Sequence, residues 1–520
     1  MFSIVEILIG ISVIAGLFAL FMILRGPKVV SHLMLKYLRK RRIAWVSLIA
    51  VILCTAMVIV VISVMGGWLR MFRETYHNIT GDIVIGRQSL AGFPFYNEML
   101  TEIRKLPEVS GAVPALRTYG LINIDGQIHD GVQVLGYPIE QMGAVSQFRE
   151  SLTRQYSDLK DTLESDKASA DDKAIAKKLL SEPATFNKPN SNDYYKLIQP
   201  NMDPDTMPGM IVGASLVGLN KMPDGTYITP RDVDLYSRWA QLTVMGVSDK
   251  RVNIDINSKS ERRFWIVDAS RTKVWQYDAQ TVYIPFDVMQ EMLNMGESKA
   301  TDKETGQEIV IPARTSDITV GLKPGSDLYA MKAKIEKIVD GTFERHKMNF
   351  LRDPVTTRSW EEVNAKFIGA VEKEKILVTL LFAIISVVAI FLIFCIFYMI
   401  VVEKTRDIGI IKSVGATSND VAGIFLGYGL AIGLVGGGLG LLSGYLIIHN
   451  INEIHAWVGR TFGFKMWDAE TYAFDTIPNT MNPREVTVIV AVAILSALIG
   501  ALVPAWLAAR KNPVESLRWE

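Results

Sequence analysis

About five apolar windows, at residues 4–24, 43–65, 376–402, 421–448 and 486–509, are each long enough to cross a hydrocarbon core of about 30 Å. A chain built this way must place most of its backbone polar groups in helices wherever it meets lipid. Between the second and third windows lies a polar segment of roughly 300 residues, enough for one or two folded domains at the usual size. The mean composition, 49 % hydrophobic and 21 % charged, averages these two materials. The expected fold is therefore an α-helical membrane protein of about five transmembrane helices. A large α+β extracytoplasmic domain is inserted between the second and third spans.

The first window lacks a basic leader and carries Glu6, so it reads as a retained helix and not as a cleaved signal. Basic residues then cluster at Arg25, Lys28, Lys36, Arg39, Lys40, Arg41 and Arg42, which sets that stretch in the cytoplasm. Counting onward, the N-terminus faces outward and the large segment is extracytoplasmic. The run 403–417 is cytoplasmic, the loop 449–485 is outside, and the tail with Arg510, Lys511 and Arg518 is inside. The domain boundaries that follow are an N-terminal transmembrane helix at 1–28, a basic helix and second span at 29–66, the outer domain at 67–375, and a C-terminal membrane domain at 376–520. Cys54 and Cys395 are the two cysteines, and both fall in membrane windows. The outer domain is thus expected to rest on an ordinary core and not on disulfides.

Within the outer segment, alternation and glycine punctuation predict a strand at 82–85, a hairpin of strands at 120–136, and further strands at 239–245, 251–257, 263–267, 281–284 and 317–322. Helical periodicity predicts helices at 96–105, 286–294 and 328–339. The stretch 146–208 is charged at first and then rich in proline and asparagine; it is expected as a helical insertion with a mobile connection. A second polar patch, 296–307, reads as a loop. Trp360, Val363, Phe367 and Val371 recur at helical spacing and run into the third window, while Trp68, Phe72 and Tyr76 continue the second. Such joins fit stalks that transmit force, and equally helix ends packed beneath the domain.

Chemical motifs are absent. No Gly-x-x-x-x-Gly-Lys-Ser/Thr phosphate loop, nucleophile elbow or zinc spacing occurs, and the six histidines are scattered. No enzyme activity, cofactor, metal or nucleic-acid partner is expected. The four later windows carry no Asp, Glu, Lys, Arg or His, which lowers the odds of an ion-driven transporter, since a coupled ion needs a ligand within the membrane. Gly429, Gly433 and Gly437, and again Gly436, Gly440 and Gly444, suit close helix packing. Pro504 is expected to kink or end the last span.

The charged run Glu403-Lys404-Thr405-Arg406-Asp407-Ile408-Gly409, followed by Lys412 and Gly415-Ala416, resembles the coupling helix of a known family. So does the ending Pro504-Ala505-Trp506 through Arg510, Pro513-Val514-Glu515 and Leu517-Arg518. Ser63-Val64-Met65-Gly66-Gly67-Trp68, Trp275-Gln276-Tyr277-Asp278 and Val282-Tyr283-Ile284-Pro285 agree, as do Trp360, Asn364, Glu374 and Lys375. Tyr472 with Ile477-Pro478 and Pro483 points to one branch. The chain resembles the lipoprotein-releasing (LolC/LolE-like) branch of the FtsX/MacB-type ABC transporter permeases.

That resemblance implies an inner-membrane permease subunit paired with a second permease copy, identical or not. A cytoplasmic ABC ATPase dimer would bind ATP and Mg and hydrolyse the nucleotide. The cargo implied is a lipoprotein, or another lipidated or amphipathic molecule, drawn from the outer leaflet, and a periplasmic carrier is a further implied partner. Extracting an acyl chain of about 15 methylenes costs on the order of 12 kcal/mol, more than thermal motion supplies efficiently. The coupling residues implied are Glu403, Lys404, Arg406, Ile408, Gly409, Ile411, Lys412, Val414, Gly415 and Ala416, with Ile408, Ile411 and Val414 filling a groove on the ATPase. Ser63, Met65, Trp68 and Phe72, facing Phe391 and Phe394, are the expected lipid-handling surface; ordinary helix packing is the alternative. The chain departs from the family in its first window, in the 146–208 insertion, and in lacking proline at 246–262, where the carrier-binding member has a hook. A MacB-like efflux permease and an FtsX-like regulator of a cell-wall hydrolase remain as alternative functions.

Overall fold

The computed structural model describes residues 42–87, 89–166, 168–187, 207–219, 228, 234–247, 254–272, 274–301, 308–347, 355–463, 467 and 476–512. The window 4–24, most of the basic stretch 25–42, the proline-rich connection 188–206, Tyr472 and the tail from Pro513 lie outside the described residues. Four helices, Arg42–Thr80, Ala365–Glu403, Ser418–His449 and Pro483–Arg510, are long and apolar enough to cross a membrane. They contain the later four of the five expected windows. The chain divides into two compact units. One comprises the helical segments up to Met71, Phe367–Trp457 and the segment from Ile477 onward; the other comprises Phe72–Lys366 with Val458–Thr476.

In the helical unit, Ser418–His449 is the central span because its glycines open two faces. On one face Gly436, Gly440 and Gly444 meet Val51, Thr55 and Ile59 of the Arg42–Thr80 helix, in an order that makes the two helices parallel. On the other, Gly429 and Gly433 meet Ala501, Ala497 and Ile494 of the last span, which is antiparallel. A Cβ on Gly440 would lie 2.6 Å from that of Thr55, so only glycine permits this approach. The last span continues through Pro504 to Arg510, where a kink or stop was expected. The carbonyl that its missing N–H would have met belongs to Gly500, and buried neighbours hold the backbone helical.

The second unit is α+β. Its strands are β1 (Ile83–Arg87), β2 (Phe93–Pro94), β3 (Val109–Ile124), β4 (Gln127–Tyr137), β5 (Gly209–Gly213), β6 (Trp239–Val247), β7 (Ile254–Ser270), β8 (Thr281–Pro285), β9 (Ser298–Thr301), β10 (Glu308–Ile311), β11 (Arg314–Thr315), β12 (Asp317–Leu322) and β13 (Val355–Ser359). The main sheet runs β13-β1-β12-β3-β4-β8-β5-β7-β6, and β6 pairs back onto β3. Strands β3, β4, β8, β5, β7 and β6 therefore close into a barrel, which removes two sheet edges. Inward residues such as Ile122, Val134, Val212, Leu242, Phe264 and Val282 fill it. The other half of β3 joins β12, β1 and β13, and the helices Tyr96–Ile103 and Leu328–Arg345 cover that sheet through Met99, Ile103, Ile335 and Val339.

The insertion is more integrated than an excursion. Phe148, Leu152 and Ala184 are buried against Trp265, Val267 and Tyr283 on the outside of the barrel. The buried carboxylate of Asp268 accepts the backbone N–H groups of Arg154 and Gln155 at 2.8 and 3.1 Å. Beyond these, helices Asp158–Glu164 and Ala170–Ser181 lie at the surface. The patch expected as a loop at 296–307 instead includes β9, which forms a hairpin with β10.

Both joins to the spans meet at Asp82. Its carboxylate is 2.7 Å from His77 Nε2 and accepts the Leu322 N–H, while its carbonyl accepts the Trp360 N–H. The His77 and Trp360 rings lie 5.2 Å apart. The Arg42–Thr80 helix is continuous through Trp68, Phe72 and Tyr76, as expected. The other join is not. A helix of four residues, Trp360–Val363, stops at Asn364, whose side chain bonds back to the Trp360 carbonyl, before Ala365–Glu403 begins.

Candidate functional site

The charged run forms a helix, Thr405–Ser413, between two spans. It begins where Thr405 Oγ1 turns back to the carbonyls of Val401 and Val402. Lys404 and Asp407 form an ion pair. It ends at Gly415, whose φ of +106° lies in the left-handed region that glycine adopts without strain. Thr417 and Asp420 then make a capping box that starts the next span.

The helix has two unlike faces. Thr405, Ile408 and Gly409 point inward and are buried. Ile408 is only 4 % exposed and packs with Phe397, Val401, Val421 and Ala505, which come from three different spans. Lys412 continues that face: its Nζ donates to the backbone carbonyls of Ala509 and Lys511 at 2.8 and 2.9 Å. A cation there caps the C-terminal carbonyls of the last span, where the helix dipole favours it. The outward face carries Arg406, Ile410, Ser413 and Val414, the last 85 % exposed. Glu403 and Gly415 are exposed, while Ile411 and Ala416 are half-buried.

One expectation is corrected here. Ile408 is not on an outward ridge, because it fills a space among the chain's own spans; Ile410, absent from the expected set, takes the outward position beside Val414. Helical spacing alone marks 408, 411 and 414 as one stripe, and it does not say which stripe the spans bury.

The expected lipid-handling residues do not form one surface either. Ser63 and Phe72 are buried, and Met65 and Trp68 are half-buried. Phe391 is 65 % exposed, and its ring pairs with Phe394 of its own helix at 6.1 Å. The glycine contacts fix the depths. Gly500 meets Ile390 and Ile393, and Gly429 meets Ala501, which sets Phe391 near the level of Gly429; Ser63 lies beyond the Gly444–Ile59 contact. At 1.5 Å per residue these levels are roughly 28 Å apart. Ser63 and Phe391 therefore do not face each other.

Taken together, the helical unit is a bundle of apolar spans with a short two-faced charged helix packed against them through Ile408 and Lys412. Residues 379–513 match the FtsX-like permease C-terminal family. The transmembrane protein LolC of the lipoprotein-releasing system of Xylella fastidiosa is 29 % identical over 33 % of this chain and 41 % of its own length. The macrolide export ATP-binding/permease protein MacB of Hahella chejuensis is 33 % identical over 29 % of this chain and 21 % of its own. A solved periplasmic region of MacB from Actinobacillus actinomycetemcomitans aligns with 57 % of the chain at a TM-score of 0.27 and 8 % identity, too loose a likeness to argue from. The C-terminal part of the chain is thus similar to ABC transporter permeases of the FtsX/MacB superfamily. Within it, the chain is LolC-like in sequence.

Proposed function

We propose that this chain is the permease subunit of an ABC transporter that couples ATP hydrolysis by a separate ATPase subunit to release of lipoproteins, or of another lipidated or amphipathic cargo, from the outer leaflet of the inner membrane. The observation that carries this reading is the division of the Thr405–Ser413 helix into a face anchored by Ile408 and Lys412 and a face offering Arg406, Ile410 and Val414. A partner pressing on the outward face moves the last span through Lys412 and the neighbouring spans through Ile408. The apolar pair Ile410 and Val414 would seat in the ATPase, with Arg406 and the Lys404–Asp407 pair at the rim. In this reading the helix and the C-terminus are cytoplasmic, the N-terminus is outside, and the α+β domain is in the periplasm. ATP and Mg stay with the ATPase dimer, and a second permease copy completes the membrane part.

Co-purification with the cognate ATPase tests it. The wild-type chain should hold the ATPase in detergent and retain a lipidated protein, identified by mass spectrometry, that ATP releases. A chain that binds no ATPase, or that hydrolyses ATP alone, would sink the reading. Similarity to MacB favours a second reading, export of an amphipathic small molecule, and the same experiment separates the two by the cargo retained.

A further inference from the structure

The helix Ile451–Phe462 is 12 residues long, strongly two-sided, and has no buried residue. At about 100° per residue, Ile451, Ile454, Val458 and Phe462 share one stripe, Glu453, Ala456 and Arg460 lie on the other side, and Trp457 stands between Ile454 and Glu453. Ile454 is 41 % and Trp457 58 % exposed. An amphipathic helix forms in water only when something takes up its apolar face.

Its position says what does. The preceding span ends at His449, and Asn450 alone separates the two helices. That residue serves both. Its N–H and side chain close the span on Leu446, and its carbonyl accepts the Ile454 N–H at 2.9 Å to start the new helix. The next turn is then clipped. Asn452 Nδ2 donates to the Ile477 carbonyl and Asn452 Oδ1 accepts the Ile477 N–H, both at 3.0 Å. The strap that follows Ile477 lies on the Arg42–Thr80 helix, where a Cβ on Gly67 would come within 2.7 Å of Pro478 Cβ. The start of the helix is thus held at the end of the Ser418–His449 span, where the strap after Ile477 crosses Gly67.

We propose that Ile451–Phe462 lies in the lipid headgroup layer, on the side where the Ser418–His449 span ends, with Ile454, Trp457 and Val458 buried among the upper acyl chains. The occupant of the apolar face is bilayer lipid. Ile454 and Val458 supply apolar area, Trp457 suits the interface because one end of its ring system is polar, and Glu453 and Arg460 stay in water. The assignment does not depend on what the chain transports.

The test uses the full-length chain with Cys54 and Cys395 replaced by alanine. Single cysteines, Ile454→Cys, Trp457→Cys, Glu453→Cys and Arg460→Cys, are labelled with an environment-sensitive fluorophore, and each protein is reconstituted into phosphatidylethanolamine and phosphatidylglycerol vesicles. Labels at 454 and 457 should be quenched severalfold more by shallow doxyl lipids than labels at 453 and 460, with the order reversed for aqueous iodide. Labels at 454 and 457 as open to iodide as that at 460 would put the helix in water and overturn the assignment. Shielding of both positions from both quenchers would put them under protein and overturn it equally. The readout is depth and not transport, so it fails separately from the proposed function.

Discussion

Lys412 Nζ donates a hydrogen bond of 2.8 Å to the carbonyl of Ala509, which joins the charged helix to the end of the last span. A second bond, to Lys511, makes the contact a clamp on a helix terminus. Hydrogen bonds from a charged donor contribute roughly 1.5–3 kcal/mol where partly buried. Lys412→Met should leave the chain in the membrane but lower the thermal unfolding midpoint of the bundle and loosen the 405–413 helix to protease. Lys412→Arg should recover part of the loss. Unchanged protease resistance in Lys412→Met would remove the clamp from the account.

Ile408 and Val414 sit on opposite sides of that helix, so charge at the two positions should fail in different ways. Ile408→Asp places a carboxylate among Phe397, Val421 and Ala505, and should cost several kcal/mol and reduce folded yield. Val414→Asp, or Ile410→Asp, should fold normally and lose the ATPase in pull-down. Equal loss of folded protein in both variants would contradict the two-faced arrangement.

Gly429 lies tightly against Ala501, since a Cβ on Gly429 would stand 2.5 Å from that of Ala501. Gly429→Ala should therefore destabilise by about 1–3 kcal/mol through overpacking. Ala501→Gly should restore most of it, and Gly438→Ala, which meets nothing within 4 Å, should be neutral or slightly stabilising. Detergent unfolding of the four variants measures the coupling; additive effects at 429 and 501 would refute it.

The four spans among the described residues and about half of the strands were readable in the sequence because lipid and one-sided burial impose strong periods. The 317–322 strand matches β12 residue for residue, and the strands read at 239–245 and 281–284 differ from β6 and β8 only at their ends. The separate strands read at 251–257 and 263–267 are one long β7, because charged residues between them stand on an exposed part of a ladder that backbone pairing sustains. Strand β5, a short apolar run beside the insertion, was missed, as was β13, whose Thr and Arg alternate without apolar contrast. For the charged helix, composition located the element. Which face turned inward depended on Phe397, Val421 and Ala505, all remote in sequence, and no local pattern carries that.

Asp268 fastens the insertion to the barrel. One oxygen accepts the N–H groups of Arg154 and Ala269, and the other that of Gln155. Asp268→Asn turns one of these acceptors into a donor facing an N–H, at a cost of about 1–3 kcal/mol for the unsatisfied group. Cleavage by trypsin between 149 and 178 should accelerate while the membrane spans remain intact. A cleavage pattern identical to wild type would show that the apolar contacts of Phe148 and Leu152 hold the insertion without it.

Glu98 gives the α+β domain a pH dependence of defined sign. The hydrogen bond with His346, at 2.8 Å, holds its carboxyl below the usual carboxylate range; slight burial opposes this and Arg345 adds to it. Phe95 stacks on the His346 ring at 3.8 Å and fixes its place. With a depressed value in the folded state, the unfolded chain takes up the proton first as pH falls. The stabilisation is complete above the usual carboxylate range and is lost progressively below it, over roughly pH 5 to 3. The unfolding midpoint of the domain should fall across that window in the wild type, and Glu98→Gln should start lower at neutral pH and decline less steeply. Parallel curves would mean that the Glu98–His346–Arg345 cluster contributes nothing to the acid sensitivity of the fold.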